Sequence, residues 1–186
     1  DMTKCPQGIH AFLRAYYHHK SADWKANKPH KLEAWVATEL EKMPTYYIMD
    51  LDDTMPQSVE KEMPSRIEIN SNAWLTENEL SIYAEEYTRN GFQGVLNWYR
   101  RGTAGLDTKE LEIFSGKTID IPSCFISGTS DWGVFQRPGA AERMRSEVFT
   151  KMNDFHLVSG AGHWVQQEQS EETCRLLLDF FHKTDA

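Results

Sequence analysis

Two short apolar runs, Ile121 to Ile126 and Phe155 to Val158, each end near a glycine and then present a titratable side chain. The first leads into Gly128-Thr129-Ser130-Asp131-Trp132-Gly133 and the second into Gly160-Ala161-Gly162-His163-Trp164-Val165-Gln166-Gln167. Runs of this length and composition read as buried strands of a parallel sheet. A sheet whose successive strand tips carry an acid and then a histidine displays two thirds of a catalytic triad. The acid-then-His order fits hydrolases whose nucleophile comes earliest in the chain. That nucleophile is missing here: no Gly-x-Ser-x-Gly, Gly-x-Cys-x-Gly or Gly-x-Asp-x-Gly occurs in the 186 residues.

The rest of the chain is helical in pattern. Pro6 suits a first helical turn, and Ile9, Phe12, Leu13, Tyr16 and Tyr17 recur on one face of a helix over residues 6–19. Residues 20–31 read as a polar loop, and residues 32–43 as a second helix that Pro44 stops. Residues 46–51 fit a strand or a helical turn equally well. A helix over residues 55–63 closes at Pro64, and residues 65–75 read as a connector. Thr76 and Glu79 form a capping box that Leu75 and Leu80 can staple. Leu80, Tyr83, Ala84 and Tyr87 make the buried stripe of that helix, and Asn90-Gly91 ends it with a left-handed cap. A shorter helix over residues 95–101 stops at Gly102. After residue 121 the rhythm becomes strand, loop, helix (139–147), strand, loop, helix (171–181), the pattern of an α/β layer. Cys174, Leu177, Leu178 and Phe181 form the packing face of the last helix. Two strands do not make a stable parallel sheet alone. The remaining strands are therefore expected before Asp1, on the same polypeptide or another, and a start without Met predicts a processed or excised piece.

Composition removes several function classes. Hydrophobic residues at 40% and aromatics at 12% suffice for a core, while a net charge of -8 argues against nucleic-acid binding, which needs a basic face. No run of 18 apolar residues crosses a membrane, and residues 1–7 lack the apolar stretch of a signal peptide. Cys5, Cys124 and Cys174 are odd in number and widely spaced, which fits neither a disulfide framework nor a zinc site. Cys124 and Cys174 read as small core residues and the setting as cytoplasmic. No glycine-rich phosphate loop is present, so no cofactor is expected. His10, His18, His19 and His30 read as solvated surface, because adjacent His18 and His19 point to different helix faces. Asp50, Asp52 and Asp53 lack the glycine and distal glutamate of a calcium loop and read as a solvated turn.

Three stretches together resemble the α/β-hydrolase-fold enzymes, most closely the soluble epoxide hydrolases. The segment Gly91-Phe92-Gln93-Gly94-Val95-Leu96-Asn97-Trp98-Tyr99-Arg100 is similar to the family's cap-to-core pattern, GF-x-G-x-LN-x-YR. Gly128 to Gln136 resembles the loop of the triad acid, and Gly162-His163-Trp164 with Gln166 the loop of the triad histidine. The resemblance implies the C-terminal part of an α/β-hydrolase fold, two parallel strands with helices, carrying a helical cap. The cap would occupy residues 1–75, cap-to-core helices 76–102, and the core segment 103–186. It assigns Asp131 as the charge-relay acid, His163 as the general base, and Tyr99 as a phenol that hydrogen-bonds the epoxide oxygen. A second cap tyrosine shares that work; Tyr17 is the candidate, with Tyr16 behind it. Trp132, Trp164, Trp98 and Phe135 would wall the substrate site.

These residue types suit epoxide opening. A carboxylate attacks carbon to form an ester, phenols protonate the oxygen, and an imidazole activates the water that cleaves the ester. The expected partners are a small apolar epoxide or ester and the N-terminal half of the same enzyme, with a homodimer as a further option. Within the same fold, a Ser esterase or lactonase, or a haloalkane dehalogenase, differs only in the upstream nucleophile or the oxyanion partners. A non-catalytic lobe acting as an assembly module is the alternative of another class. Taken alone, Asp131 is a common turn residue and Tyr16 and Tyr17 a common core stripe.

Overall fold

A computed structural model describes residues 1–106 and 108–184. Its centre is α1 (Ile9–Lys20), whose Phe12, Leu13, Ala15 and Tyr17 are buried. Around it pack α3 (Met55–Glu60) and α5 (Glu77–Asn90), with α2 (Ala37–Leu40) and α4 (Arg66–Ser71) as single turns in the intervening chain. The α5 start follows the capping-box chemistry. Thr76 Oγ1 accepts from the Glu79 N–H at 3.3 Å, Glu79 Oε2 accepts from the Thr76 N–H at 2.7 Å, and Leu75 and Leu80 are both buried. Arg14 crosses from α1 to this cap, donating to the Leu75 carbonyl at 3.0 Å and pairing with Glu77 at 2.5 Å.

Beyond α6 (Gln93–Ala104) and α7 (Thr108–Glu112) comes the sheet. β1 (Ser123–Gly128) and β2 (Met152–Val158) pair in parallel, with Cys124 opposite Asp154 and Gly128 opposite Val158. The crossover contains α8 (Ala140–Arg143), which widens into a π-type turn over Met144–Val148. After β2 come one turn, α9 (Val165–Glu168), and the long α10 (Ser170–Thr184). Val158, Ala161, Val165 and Leu176 form the small apolar cluster under them.

Several elements depart from the sequence pattern. The helix expected over residues 32–43 shrinks to α2. Leu32 and Met43 are buried in a cluster with Tyr46 and Trp132, but Trp35 and Val36 are exposed, so their apparent stripe has no surface to cover. The expected connector over residues 65–75 contains α4, whose Ser65–Glu68 capping box drives a local helix without an apolar stripe. α6 runs through Gly102 and stops at Gly105, whose φ of 64° and ψ of 24° make the left-handed cap. Gly91, by contrast, ends α5 with φ 67° but ψ -171°, outside the left-handed helical region. Residues 46–51 form neither strand nor helix. Cys124 is only half-buried and Cys174 is exposed. Leu177, Leu178 and Phe181 of α10, the expected packing face, are exposed too, as are Ile119, Ile121 and Leu157 around the sheet. A sheet of two strands is too narrow to cover these faces.

His18 and His19 are not surface residues: both are buried, His19 completely. The His19 ring lies edge-on to Trp24 and Tyr46, with centroids 4.4 and 4.8 Å away, and neither ring nitrogen has a hydrogen-bond partner. The turn after α1 folds back over its last residues, so helical position alone does not set exposure. Burial lowers the His19 pKa from 6.5 to about 4, and the neighbouring His18 and Lys20 charges act in the same direction. The native state thus binds fewer protons than the unfolded chain between those values, so stability is complete above about pH 6.5 and falls as pH drops through about 4. Urea titrations of the intact protein at pH 7 and pH 5 should show this loss, and His19→Phe should flatten it.

Candidate active site

The two strand tips converge. β1 ends at Gly128 and the chain turns through Ser130 to Asp131, while β2 ends at Val158 and turns through Gly160, with φ 75°, to His163. The turns are laced together by Thr129 N–H to the Val158 carbonyl and Ser130 N–H to the Ala161 carbonyl, each 2.9 Å. His163 Nδ1 lies 3.1 Å from Asp131 Oδ1. The same oxygen accepts from the Gly133 N–H at 2.8 Å, and Asp131 Oδ2 accepts from Ser127 Oγ at 2.9 Å. Burial alone would raise the Asp131 pKa, but the hydrogen bond and charge of His163, with the Gly133 and Ser127 donors, hold it below the usual carboxylate range. Asp131 also caps the 3₁₀ turn Trp132–Val134. Its turn role and its contact with His163 therefore coexist. With Nδ1–H donated to an anionic Asp131, Nε2 is left as the basic nitrogen, and it has no protein partner among the described residues.

Two glycines allow this approach. A Cβ on Gly128 would collide with the carbonyl oxygens of Ala161 and Gly162. One on Gly162 would lie 2.6 Å from the Lys20 carbonyl oxygen and 2.7 Å from the Ser21 carbonyl carbon. The His163 loop is thus wedged between β1 and the end of α1, and the His163 N–H donates to the Lys20 carbonyl at 3.0 Å.

Aromatic side chains cover this wedge. The Trp164 ring lies 4.9 Å from that of His163 and 4.4 Å from Tyr17, and its indole N–H donates to the Tyr17 carbonyl at 2.9 Å. Tyr17 is buried and Tyr16 half-buried, and desolvation raises both phenol pKa values. Trp132 is buried with Leu32, Met43 and Tyr46, and Phe135 packs against this cluster. Trp98 and Tyr99 differ, being 76% and 60% exposed on α6. The Tyr99 hydroxyl makes no hydrogen bond among the described residues, yet it lies near enough to Tyr16, Tyr47 and Tyr87 to add to the rise in their pKa values. The structure thus groups Asp131, His163, Trp164, Tyr16 and Tyr17, with Trp132 and Phe135 alongside, and leaves Trp98 and Tyr99 on an open face.

Residues that sequence patterns did not single out complete the surroundings. Lys20 is almost fully buried, with its ammonium 5.2 to 5.5 Å from the ring centres of Tyr16, Tyr46, Tyr47 and Trp164. It has no ion pair among the described residues, and desolvation lowers its pKa to about 8 against the pull of Asp131. Glu168, five residues after His163, turns back to accept three backbone N–H groups. For Lys20 the available signal was a base at the end of an aromatic stretch; Glu168, in a run of glutamines and glutamates, carried none. No group of three or more potential metal ligands occurs among the described residues.

A helical layer beside parallel strands whose tips carry an Asp–His pair defines the chain as part of an α/β-hydrolase fold. The curated relatives are epoxide hydrolases: Epoxide hydrolase A of Mycobacterium tuberculosis is 41% identical over 109 residues, covering 58% of this chain and 32% of that protein. Epoxide hydrolase 2 of Siraitia grosvenorii is 32% identical over 155 residues, covering 80% of this chain and 46% of that one. The chain therefore spans about a third to a half of the length of these two relatives. Among solved structures, Epoxide Hydrolase A from Mycobacterium thermoresistibile aligns over 97% of this chain and 48% of its own, with a TM-score of 0.62 and 28% identity. An epoxide hydrolase from an endophytic Streptomyces aligns over 97% of this chain and 50% of its own at TM-score 0.71, and at 23% identity shares the fold alone. No family model matches the sequence.

Gly128→Ala in the intact protein should lower stability by about 1–3 kcal/mol in chemical denaturation, as overpacking does. Gly102→Ala, inside exposed α6 with nothing near its Cβ position, should be neutral or stabilising by up to about 1 kcal/mol.

Proposed function

We propose that this chain is the cap and C-terminal core of an epoxide hydrolase, with residues 1–75 as lid, 76–102 as linking helices and 103–186 as core. The observation that carries the reading is the 3.1 Å contact between His163 Nδ1 and Asp131 Oδ1 at adjacent strand tips. It leaves Nε2 as a base beside an aromatic surface. The similarity to curated epoxide hydrolases supports the choice of reaction.

In this reading a carboxylate supplied by the rest of the protein attacks an epoxide carbon. The carbon–oxygen bond breaks as an ester forms, and the leaving oxygen takes a proton from a phenol. Tyr99 is one such donor, with Tyr17, and Tyr16 behind it, as the second. His163 Nε2 then removes a proton from water, whose oxygen adds to the ester carbonyl and releases the diol and the original carboxylate. The resulting imidazolium is stabilised by Asp131, which stays ionised because its environment favours the anion. Trp164, Trp132, Phe135 and Trp98 supply apolar walls, so the substrate is a small apolar epoxide. The exposed apolar residues of α10 and the sheet support cover by the remaining half of the enzyme, and a homodimer would bury such faces too. Three unpaired thiols suit a cytoplasmic setting. No described helix is long and apolar enough to cross a membrane.

The test separates the two chemical steps. In the intact protein, His163→Gln should trap the ester, visible as a protein adduct of substrate mass, and slow turnover by about 100- to 10,000-fold. Tyr99→Phe should instead slow formation of the ester, about tenfold or more for a lost transition-state hydrogen bond. A His163→Gln protein with unchanged turnover would sink the assignment.

A further inference from the structure

Glu168 closes a hydrogen-bonded ring around the base. It sits at the end of α9, one turn after His163, with its carboxylate folded back over the loop. Oε2 accepts from the Gly162 N–H at 2.9 Å and from the Ala22 N–H at 2.8 Å, and Oε1 accepts from the Trp164 N–H at 3.0 Å. Two of these donors flank His163 in the chain, and the third lies just beyond α1. The intervening His163 N–H is held by the Lys20 carbonyl at 3.0 Å. Three consecutive peptide N–H groups are thus held, two by one carboxylate and one by the segment that carboxylate also grips.

Burial pushes the Glu168 pKa up, while its three backbone donors pull it down. A carboxylate is the side chain suited to this place, since it offers two oxygens and no hydrogen to oppose the donors. The imidazole has one hydrogen-bond partner, Asp131, and one aromatic neighbour, Trp164, 4.9 Å away. Where its Nε2 faces also follows from the backbone on which the ring is mounted.

We propose that Glu168 is a positioning residue for the hydrolytic half of the reaction, holding the 162–164 backbone so that His163 Nε2 faces the ester formed in the first half. The inference rests on the reading of His163 as the base. It places the larger effect of Glu168 in the second half-reaction: ester formation uses the upstream carboxylate and the phenols, and neither is mounted on the 162–164 backbone. Hydrolysis uses His163, which is. A misplacement of the order of 1 Å can slow a step by about 100-fold.

The experiment uses the intact protein and styrene oxide as the probe epoxide, with single-turnover mixing and mass detection of the protein–ester adduct. Glu168→Gln keeps the size but turns an amide NH₂ toward backbone donors. Its ester formation should stay within about threefold of the unaltered protein, while hydrolysis slows by about 10- to 100-fold and the adduct accumulates. Glu168→Asp, which keeps both oxygens on a shorter stem, should slow hydrolysis less and leave ester formation unchanged. Hydrolysis at the normal rate in either variant overturns the proposal, as does equal slowing of both steps, the mark of a general loss of structure. If Glu168→Gln does not fold, the Asp variant decides alone by the same criteria. His163→Gln distinguishes the levels: failure to trap an ester there refutes the underlying assignment of the base, whereas trapping it there with no selective effect at Glu168 refutes this inference only.

Discussion

The seam between the helical and α/β parts is the contact on which the rest depends. The loop at 160–164 enters a space bounded by Gly128 on one side and the Lys20–Ala22 backbone on the other, and only glycine at 128 and 162 lets it in. Main chain meets main chain there, so no side-chain repacking could relieve an added methyl group. The side chains of the candidate site are referred to this seam. Asp131 is hung from β1, His163 from β2, and the tyrosines from the end of α1. Their distances are fixed because three backbones touch.

The polar groups at the seam show how a low-dielectric site is kept charged. Asp131 is held ionised by four donors or charges in spite of burial. Lys20, almost as buried as the core, has aromatic faces instead of a carboxylate, and its pKa falls accordingly. Ring quadrupoles offset part of the desolvation of an ammonium, but less than an ion pair would. The result is an ammonium with a weakened hold on its proton, near an anion whose own hold on His163 must persist. The two charges lie on different elements, α1 and the loop after β1, so their attraction adds to the forces that close the seam.

The pairing of Asp131 with His163 was legible in the sequence because chemistry and secondary structure coincide there. A strand followed by glycine and an acid, then a strand followed by glycine and a histidine, leaves few geometries, and Asp131 and His163 lie 3.1 Å apart. The capping box at Thr76 was equally readable, because its partners are three residues apart and need no tertiary context. What escaped was set by long-range contact. His19 is buried because the chain after α1 folds back over it, and Glu168 earns its three donors from residues 146, 6 and 4 positions away. Neither relation has a period or spacing to detect.

The exposed apolar faces follow from the same physics as the misread ones. Leu177, Leu178 and Phe181 repeat at helical spacing on α10, the pattern of a buried stripe, and the structure leaves them open. The periodicity is evidence of a surface meant to be covered; the missing cover is a property of what the chain contains. Trp98 and Tyr99 on α6 belong to the same argument. A phenol that is 60% exposed keeps its hydrogen bonds to water, and a hydrogen bond it donates is stronger once water is excluded. Its chemistry therefore depends on the surface that closes over it, whereas the Asp131–His163 pair is already assembled by the two strands and α1. The division is a physical one: the Asp131–His163 contact is built into the seam, and the Tyr99 side of α6 stays open.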